Sequence, residues 1–269
     1  MTGCLVDLGG YSLAVKDRGA GPAVLFGHSL TFDSAMFDRV ADQLSERFRV
    51  VQVDLPGHGG SGTPKEVFSL EEVADDLPGL LDGLGIERAA WVGHSMGGMV
   101  GMRFALQHPK RVGALALLNT SAEAEIPNMR DLYHHVNESS RGKPSTKPTV
   151  EFVLSLMFSE AFREQHPDRV EPYRTLLYEP SDAEGVYRMA RSVIWRDSVL
   201  ESLGGLDTPC LVITAALDTA VPAHFGESIA RSVPGCRRLQ LDDCGHLSPE
   251  ERPEEVAAAI HSFLEEAWT

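Results

Sequence analysis

The chain has little that would anchor it in a membrane, staple it covalently or draw it to a polyanion. Of its 269 residues only four are cysteine, Cys4, Cys210, Cys236 and Cys244, and their wide spacing forms neither a zinc motif nor a redox motif. A chain of this length needs no disulfide staples, so all four read as free thiols. No apolar run approaches the ~20 residues that span a bilayer, so no membrane partner is expected. The stretch Met1-Thr2-Gly3-Cys4-Leu5-Val6-Asp7 lacks the basic start and apolar core of a signal peptide, and the expectation is a cytoplasmic protein. Bases are scarce as well: 24 Lys+Arg face 39 Asp+Glu, for a net charge of −15. Such a field repels phosphate backbones before contact, which argues against nucleic acid as a partner.

What is present is a regular alternation. Short Val- and Leu-rich runs at Ala23–Phe26, Arg49–Val53, Ala89–Val92, Ala114–Leu118, Cys210–Thr214 and Arg238–Leu241 read as buried strands. Helical periods fall between them, near Ser34–Glu46, Leu70–Leu84, Met96–Gln107, Ala223–Ser232 and Pro253–Glu266. Continuous apolar strands alternating with helices predict an α/β fold with a parallel sheet covered on both faces. The rhythm breaks over 121–203, where helical segments follow one another without a strand. Residues 1–120 and 204–269 therefore read as the core and 121–203 as an inserted helical cap, with Arg141–Pro148 an exposed loop inside it. The acidic excess lies mainly outside the insertion.

The sharpest local signal is Gly93-His94-Ser95-Met96-Gly97-Gly98, directly after the run Ala89-Ala90-Trp91-Val92 and before a helix. Strand, Gly-x-Ser-x-Gly, helix is a nucleophile elbow: the serine sits in strained dihedrals, and only glycine neighbours let strand and helix approach. The turn presents Ser95 Oγ at the sheet edge and aims the Met96 N–H towards a developing oxyanion. A serine hydroxyl needs a base, and the base needs an orienting acid, in the chain order Ser, Asp or Glu, His. Asp218 follows the strand Cys210–Thr214 and His246 follows Arg238–Leu241, so both arrive where parallel strands end, beside Ser95. Asp207 precedes its strand and lies at the wrong end; Asp242 and Asp243 are too near His246 in sequence to orient it. His28 is expected near the site, and the other histidines, His58 and His94 among them, are expected to make surface or local hydrogen bonds. Gly27-His28-Ser29-Leu30 offers the Leu30 N–H as second oxyanion donor. Asp54-Leu55-Pro56-Gly57-His58-Gly59-Gly60-Ser61 reads as a structural turn.

These motifs together resemble the α/β-hydrolase fold enzymes over nearly the whole chain. The resemblance implies an eight-stranded, mostly parallel sheet with a helical cap over the crevice. Ser95-Met96-Gly97-Gly98-Met99, Leu118-Asn119-Thr120-Ser121-Ala122 and Phe158-Ser159-Glu160-Ala161-Phe162 look most like 3-oxoadipate enol-lactonases. Those enzymes carry an Arg-Trp pair before the cap phenylalanine where this chain has Leu156 and Met157, a more apolar lining for an anionic substrate. Arg191 and Arg196, flanking Trp195, are either a replacement cation or solvent-facing arginines. Expected ligand contacts are thus His28, Leu156, Met157, Trp195 and Arg196. The implied activity is a serine hydrolase acting on a small-molecule carboxylic ester or lactone, with no metal or organic cofactor required. The alternatives are a carbon–carbon bond hydrolase or perhydrolase on the same triad, or a slow-turnover ligand-binding or sensor protein. Dehalogenases and epoxide hydrolases place a carboxylate at the elbow, which Ser95 argues against. A homo-oligomer is compatible with the sequence.

Overall fold

A computed structural model describes residues 2–268. Eight strands form one sheet: β1 (Thr2–Asp7), β2 (Ser12–Arg18), β3 (Ala23–Gly27), β4 (Arg49–Val53), β5 (Ala89–His94), β6 (Val112–Leu118), β7 (Cys210–Ala215) and β8 (Arg237–Leu241). Their order is β1-β2-β4-β3-β5-β6-β7-β8, antiparallel where β2 meets β1 and β4 and parallel from β4 to β8. The mostly parallel, eight-stranded expectation is met, and β1 and β2 add two strands to the six apolar runs. Their residues are too short and too mixed to stand out as apolar runs. In β2 only Leu13 and Val15 are buried, the alternation of a strand with one covered face.

Helices cover both faces. One face packs α2 (Leu70–Gly83), α3 (Met96–Gln107) and α9 (Ala223–Ser232), with Leu25, Val51, Trp91 and Val212 pointing towards them. The other takes α1 (Asp38–Leu44) and α11 (Pro253–Ala267) against Val24, Phe26, Val50 and Val92. Helix α2 starts where the sequence dictates: Ser69 Oγ accepts from the Glu72 N–H, the Glu72 carboxylate accepts from the Ser69 N–H, and Leu70, Val73, Ala74, Leu77, Leu80 and Leu81 fall on one buried face. The single helix expected near Ser34–Glu46 is instead a 3-10 turn, Ser34–Phe37, followed by α1. The Ser34 carbonyl accepts from Gln52 Nε2 at 2.7 Å, which ties this turn to β4.

Between β6 and β7 run α4 (Pro127–Ser140), α5 (Lys147–Met157), α6 (Glu160–Gln165), α7 (Pro167–Tyr178) and α8 (Ala183–Ile194), then a 3-10 segment Leu200–Gly205, with no strand among them. The expected loop at Arg141–Pro148 is shorter than read, because α5 begins at Lys147 with Pro148 in its first turn, where a missing N–H costs nothing. Helices α5 to α7 bury Val150, Leu154, Phe162, Val170 and Tyr173 in the second core, whereas α4 buries no side chain. No helix among the described residues is long and apolar enough to cross a membrane.

Candidate active site

Ser95 occupies the turn between β5 and α3 with φ 50° and ψ −114°, a left-handed backbone that a non-glycine residue holds only when its surroundings enforce it. The enforcement is visible on both sides. Ser95 N–H donates to the Leu118 carbonyl at 2.9 Å, and the Ser95 carbonyl accepts from Thr120 Oγ1 at 2.6 Å. A Cβ on Gly97 would stand 2.0 Å from the Gly27 carbonyl oxygen, and one on Gly93 would stand 2.3 Å from that of Gly97. Only glycine lets α3 start this close to β3 and β5.

Asp218 and His246 meet at the same edge. Asp218 Oδ2 lies 2.8 Å from His246 Nδ1, and the two side chains are 0% and 2% exposed. The carboxylate is otherwise saturated: Oδ1 accepts from the N–H groups of Ala220 (2.9 Å) and Val221 (2.8 Å), and Oδ2 also accepts from Asn119 Nδ2 at 2.9 Å. These donors fix both oxygens in place. Asn119 is itself oriented by Ser248 Oγ, which donates to its Oδ1 at 2.6 Å. A network Ser248–Asn119–Asp218–His246 thus runs across the ends of β6, β7 and β8. Neither Asn119 nor Ser248 was singled out from sequence for a role here; the available signal was an asparagine directly after a buried strand, and its φ of 48° is a conformation asparagine tolerates. His94, just before the serine, donates from Nε2 to the His246 carbonyl at 2.7 Å, and the two rings lie 4.8 Å apart, tying the His246 loop to the elbow.

The two expected oxyanion donors are set by different means. Met96 N–H is the first amide of α3, and Leu30 N–H lies in the loop after β3; neither finds an acceptor among the described residues. Two buried histidines lock the Leu30 loop. His28 Nδ1 bonds the Ser29 carbonyl at 2.7 Å while its Nε2 accepts from Leu55 N–H at 2.8 Å. His58 Nε2 accepts from Thr31 N–H at 3.1 Å, and its Nδ1 bonds the Pro56 carbonyl at 3.0 Å. The loops after β3 and β4 are therefore interlaced. Both rings must stay neutral to accept those amides: burial pushes His58 down to about 3 and lowers His28 and His94 as well. His28, expected as a ligand contact, has both nitrogens bound to backbone and acts here as a loop fastener.

The helical insertion is tied to the His246 loop. Leu247 N–H donates to the Met157 carbonyl at 2.8 Å. The buried Glu251 carboxylate, on the short helix α10 (Ser248–Glu251), accepts from Ser159 N–H (2.8 Å), Ser159 Oγ (2.7 Å) and Gly245 N–H (3.2 Å). Its neighbour Glu250 takes Arg169 Nε at 2.8 Å and the Tyr173 hydroxyl at 3.1 Å from α7. The expected ligand contacts in the insertion do not converge. Leu156 and Met157 are half-buried on α5. Trp195 is 48% exposed, with Arg130 over its ring and His134 at its edge. Arg196 donates to the Glu123 and Val193 carbonyls, at 2.9 and 2.8 Å, and lies 3.6 Å from Glu125; burial pulls its pKa below the usual arginine value. A cavity of about 240 Å³ opens between Glu151, Arg163 and Arg174 of the insertion, and none of the candidate residues lines it. Among the described residues, no group of three or more His, Cys, Asp or Glu side chains is placed to hold a metal ion.

Sheet order, elbow and strand-end residues define the alpha/beta hydrolase fold. Its family model matches residues 22–253, and the chain belongs to that family. Over the full length of both chains it superposes on a thermophilic esterase from Thermogutta terrifontis, solved with malate bound, with a TM-score of 0.92 and 30% identity. An enol-lactonase from Burkholderia xenovorans LB400 is similar over 97% of this chain and 100% of its own, with a TM-score of 0.89 and 27% identity. A 2-(acetamidomethylene)succinate hydrolase of Mesorhizobium japonicum is 26% identical over 97% of this chain and 94% of its own. The protein is thus an α/β hydrolase with enol-lactonase-like relatives.

Proposed function

We propose that the protein hydrolyses a small carboxylic ester or lactone through an acyl-enzyme on Ser95. The observation that carries this reading is the buried Asp218–His246 pair, 2.8 Å between oxygen and nitrogen, at the strand ends beside the strained serine. His246 Nδ1–H donates to Asp218, which leaves Nε2 as the basic nitrogen. Ser95 Oγ attacks the carbonyl carbon while Nε2 takes its proton; Asp218 stabilises the imidazolium. The free amides of Met96 and Leu30 donate to the oxyanion, and they are stronger donors there than in water because the surrounding loops are buried. Collapse of the tetrahedral intermediate expels the alcohol or enol oxygen, which receives the proton from His246. Water then attacks the acyl-enzyme, with His246 again as base.

An uncharged ester or lactone is favoured over a dicarboxylate. Arg196, the nearest thing to the cation expected in the insertion, already serves two backbone carbonyls and Glu125 and does not lend its charge to a ligand. Esters, enol-lactones and β-diketones assayed side by side separate ester hydrolysis from carbon–carbon cleavage. Ser95→Ala should lower the rate on p-nitrophenyl acetate by on the order of 10³-fold or more; a full rate in that variant ends the proposal.

A further inference from the structure

Two of the four cysteines, distant in sequence, are neighbours in the sheet. The parallel register of β7 and β8 pairs Leu211 with Arg237, so the residues one step earlier, Cys210 and Cys236, stand side by side across the two strands. Both side chains pack into the same hydrophobic cluster, on one face of the sheet. Adjacent strands run ~4.8 Å apart, inside the ~4.4–6.8 Å Cα separation that a disulfide bridges. The two thiols have different characters. Cys236 is half-exposed at the sheet edge, and its Sγ lies 3.3 Å from the Arg237 carbonyl. The Cys210 thiol, the Val212 backbone and Arg238 hold its pKa below the ordinary thiol value. Cys210 is fully buried, and its proton is held by the contact with Cys236 and by burial. An accessible thiolate-prone sulfur beside a buried partner is the arrangement of an attacking and a resolving cysteine.

We propose that Cys210 and Cys236 form an oxidation site that closes to an intramolecular disulfide on reaction with a hydroperoxide and staples the edge strand β8 to β7. The Cys236 thiolate attacks one peroxide oxygen, the O–O bond breaks, and the departing oxygen leaves as water, giving a sulfenic acid. The Cys210 sulfur then attacks that sulfur; the hydroxyl leaves with the Cys210 proton as a second water. Two thiols lose two electrons and one hydrogen peroxide becomes two waters, so no further co-reactant is required. The staple joins the beginnings of the two strands whose far ends lead to Asp218 and His246.

The test is hydrogen peroxide on the full chain, followed by alkylation of the remaining thiols, intact mass and peptide mapping. Expected is a loss of two hydrogens with a Cys210–Cys236 cross-linked peptide, while Cys4 and Cys244 are recovered alkylated. The oxidised chain should melt roughly 5–10 °C higher than the reduced one, the gain a loop of this length allows. Cys210→Ser should leave Cys236 as a sulfenic acid that a 1,3-dione captures. Recovery of alkylated Cys210 beside over-oxidised Cys236, covalent dimers in place of the internal bridge, or no dione adduct in the folded Cys210→Ser chain would each overturn the proposal.

Discussion

The strand-end loops and the helical insertion are built on opposite plans. At the strand ends nearly every polar group is fastened to backbone: His28, His58 and His94 each bond a main-chain group, and Asp218 receives two amides besides its side-chain partners. In the insertion the fastening is uneven. Helices α5 to α7 are pinned by Glu250 and Glu251, while α4 meets α8 through polar contacts and leaves Leu132 and Val136 each 51% exposed. Atoms that must meet a reacting carbonyl need a fixed frame, and the sheet supplies it; the insertion is fastened through α5 to α7 and through α8, where Ser192 Oγ donates to the Phe68 carbonyl, and is loose at α4.

The largest expected effect falls on the strand-end side and comes from acid. His28, His58 and His94 all have pKa values lowered from 6.5 by burial, that of His58 to about 3. Above pH 6.5 native and unfolded chains are both neutral at these positions, and the contribution to stability is complete. Below 6.5 the unfolded chain takes up protons that the native chain refuses, so stability falls with pH until the folded values are reached. His58 alone gives a slope that approaches about 1.4 kcal/mol per pH unit once the pH is about a unit below 6.5, and His28 and His94 add to it in the same direction. Denaturant titrations between about pH 6.5 and 5 measure it, and His58→Asn should remove about one proton from the slope. The insertion's histidines His134, His135 and His166 are at least partly exposed. If replacing them flattens the slope instead, the contrast between the two regions is wrong.

Next in size is the Glu251 clamp between the regions. Glu251→Ala removes three acceptor contacts and leaves the Ser159 and Gly245 amides unpaired in a buried place. The expected loss is about 2–3 kcal/mol in urea unfolding. Activity should fall further than the folded fraction, because Gly245 precedes His246. A variant that loses stability but keeps its rate per folded molecule would show that the clamp holds the insertion without positioning the base.

What the sequence made legible follows the same division. Ser95, Asp218 and His246 could be placed because a parallel sheet brings the residues after its strands to one edge, and because the Gly93 and Gly97 requirement is local. Met96 and Leu30 could be named for the same reason. Asn119, Ser248 and Glu251 could not, since their partners are set by how separate loops meet; a glutamate in Pro249-Glu250-Glu251-Arg252 reads as a solvated helix charge until Ser159 is placed beside it. Strands β1 and β2 carry no such signal, because an antiparallel strand with only one covered face has no continuous apolar run. Trp195 and Arg196 were expected at a ligand and are held by Arg130, Glu123 and Glu125, because the face a cap residue presents is decided by helix packing rather than by the residue type.

The smallest effect is expected at the loose edge. Leu132→Ser with Val136→Ser changes two half-exposed side chains on a helix that buries none of its own. Neither leaves a cavity, and serine's lower helix propensity adds a few tenths of a kcal/mol at Leu132 and almost nothing at Val136. The folded monomer should therefore lose no more than about 1 kcal/mol, with the ester-hydrolysis rate unchanged. Urea unfolding at two protein concentrations checks this. A loss well above that figure which shrinks on dilution, as the unsubstituted chain itself dissociates, would mean that this face of α4 is covered by a second copy in solution, and the insertion would then be as firmly fastened as the strand ends, only by a different partner.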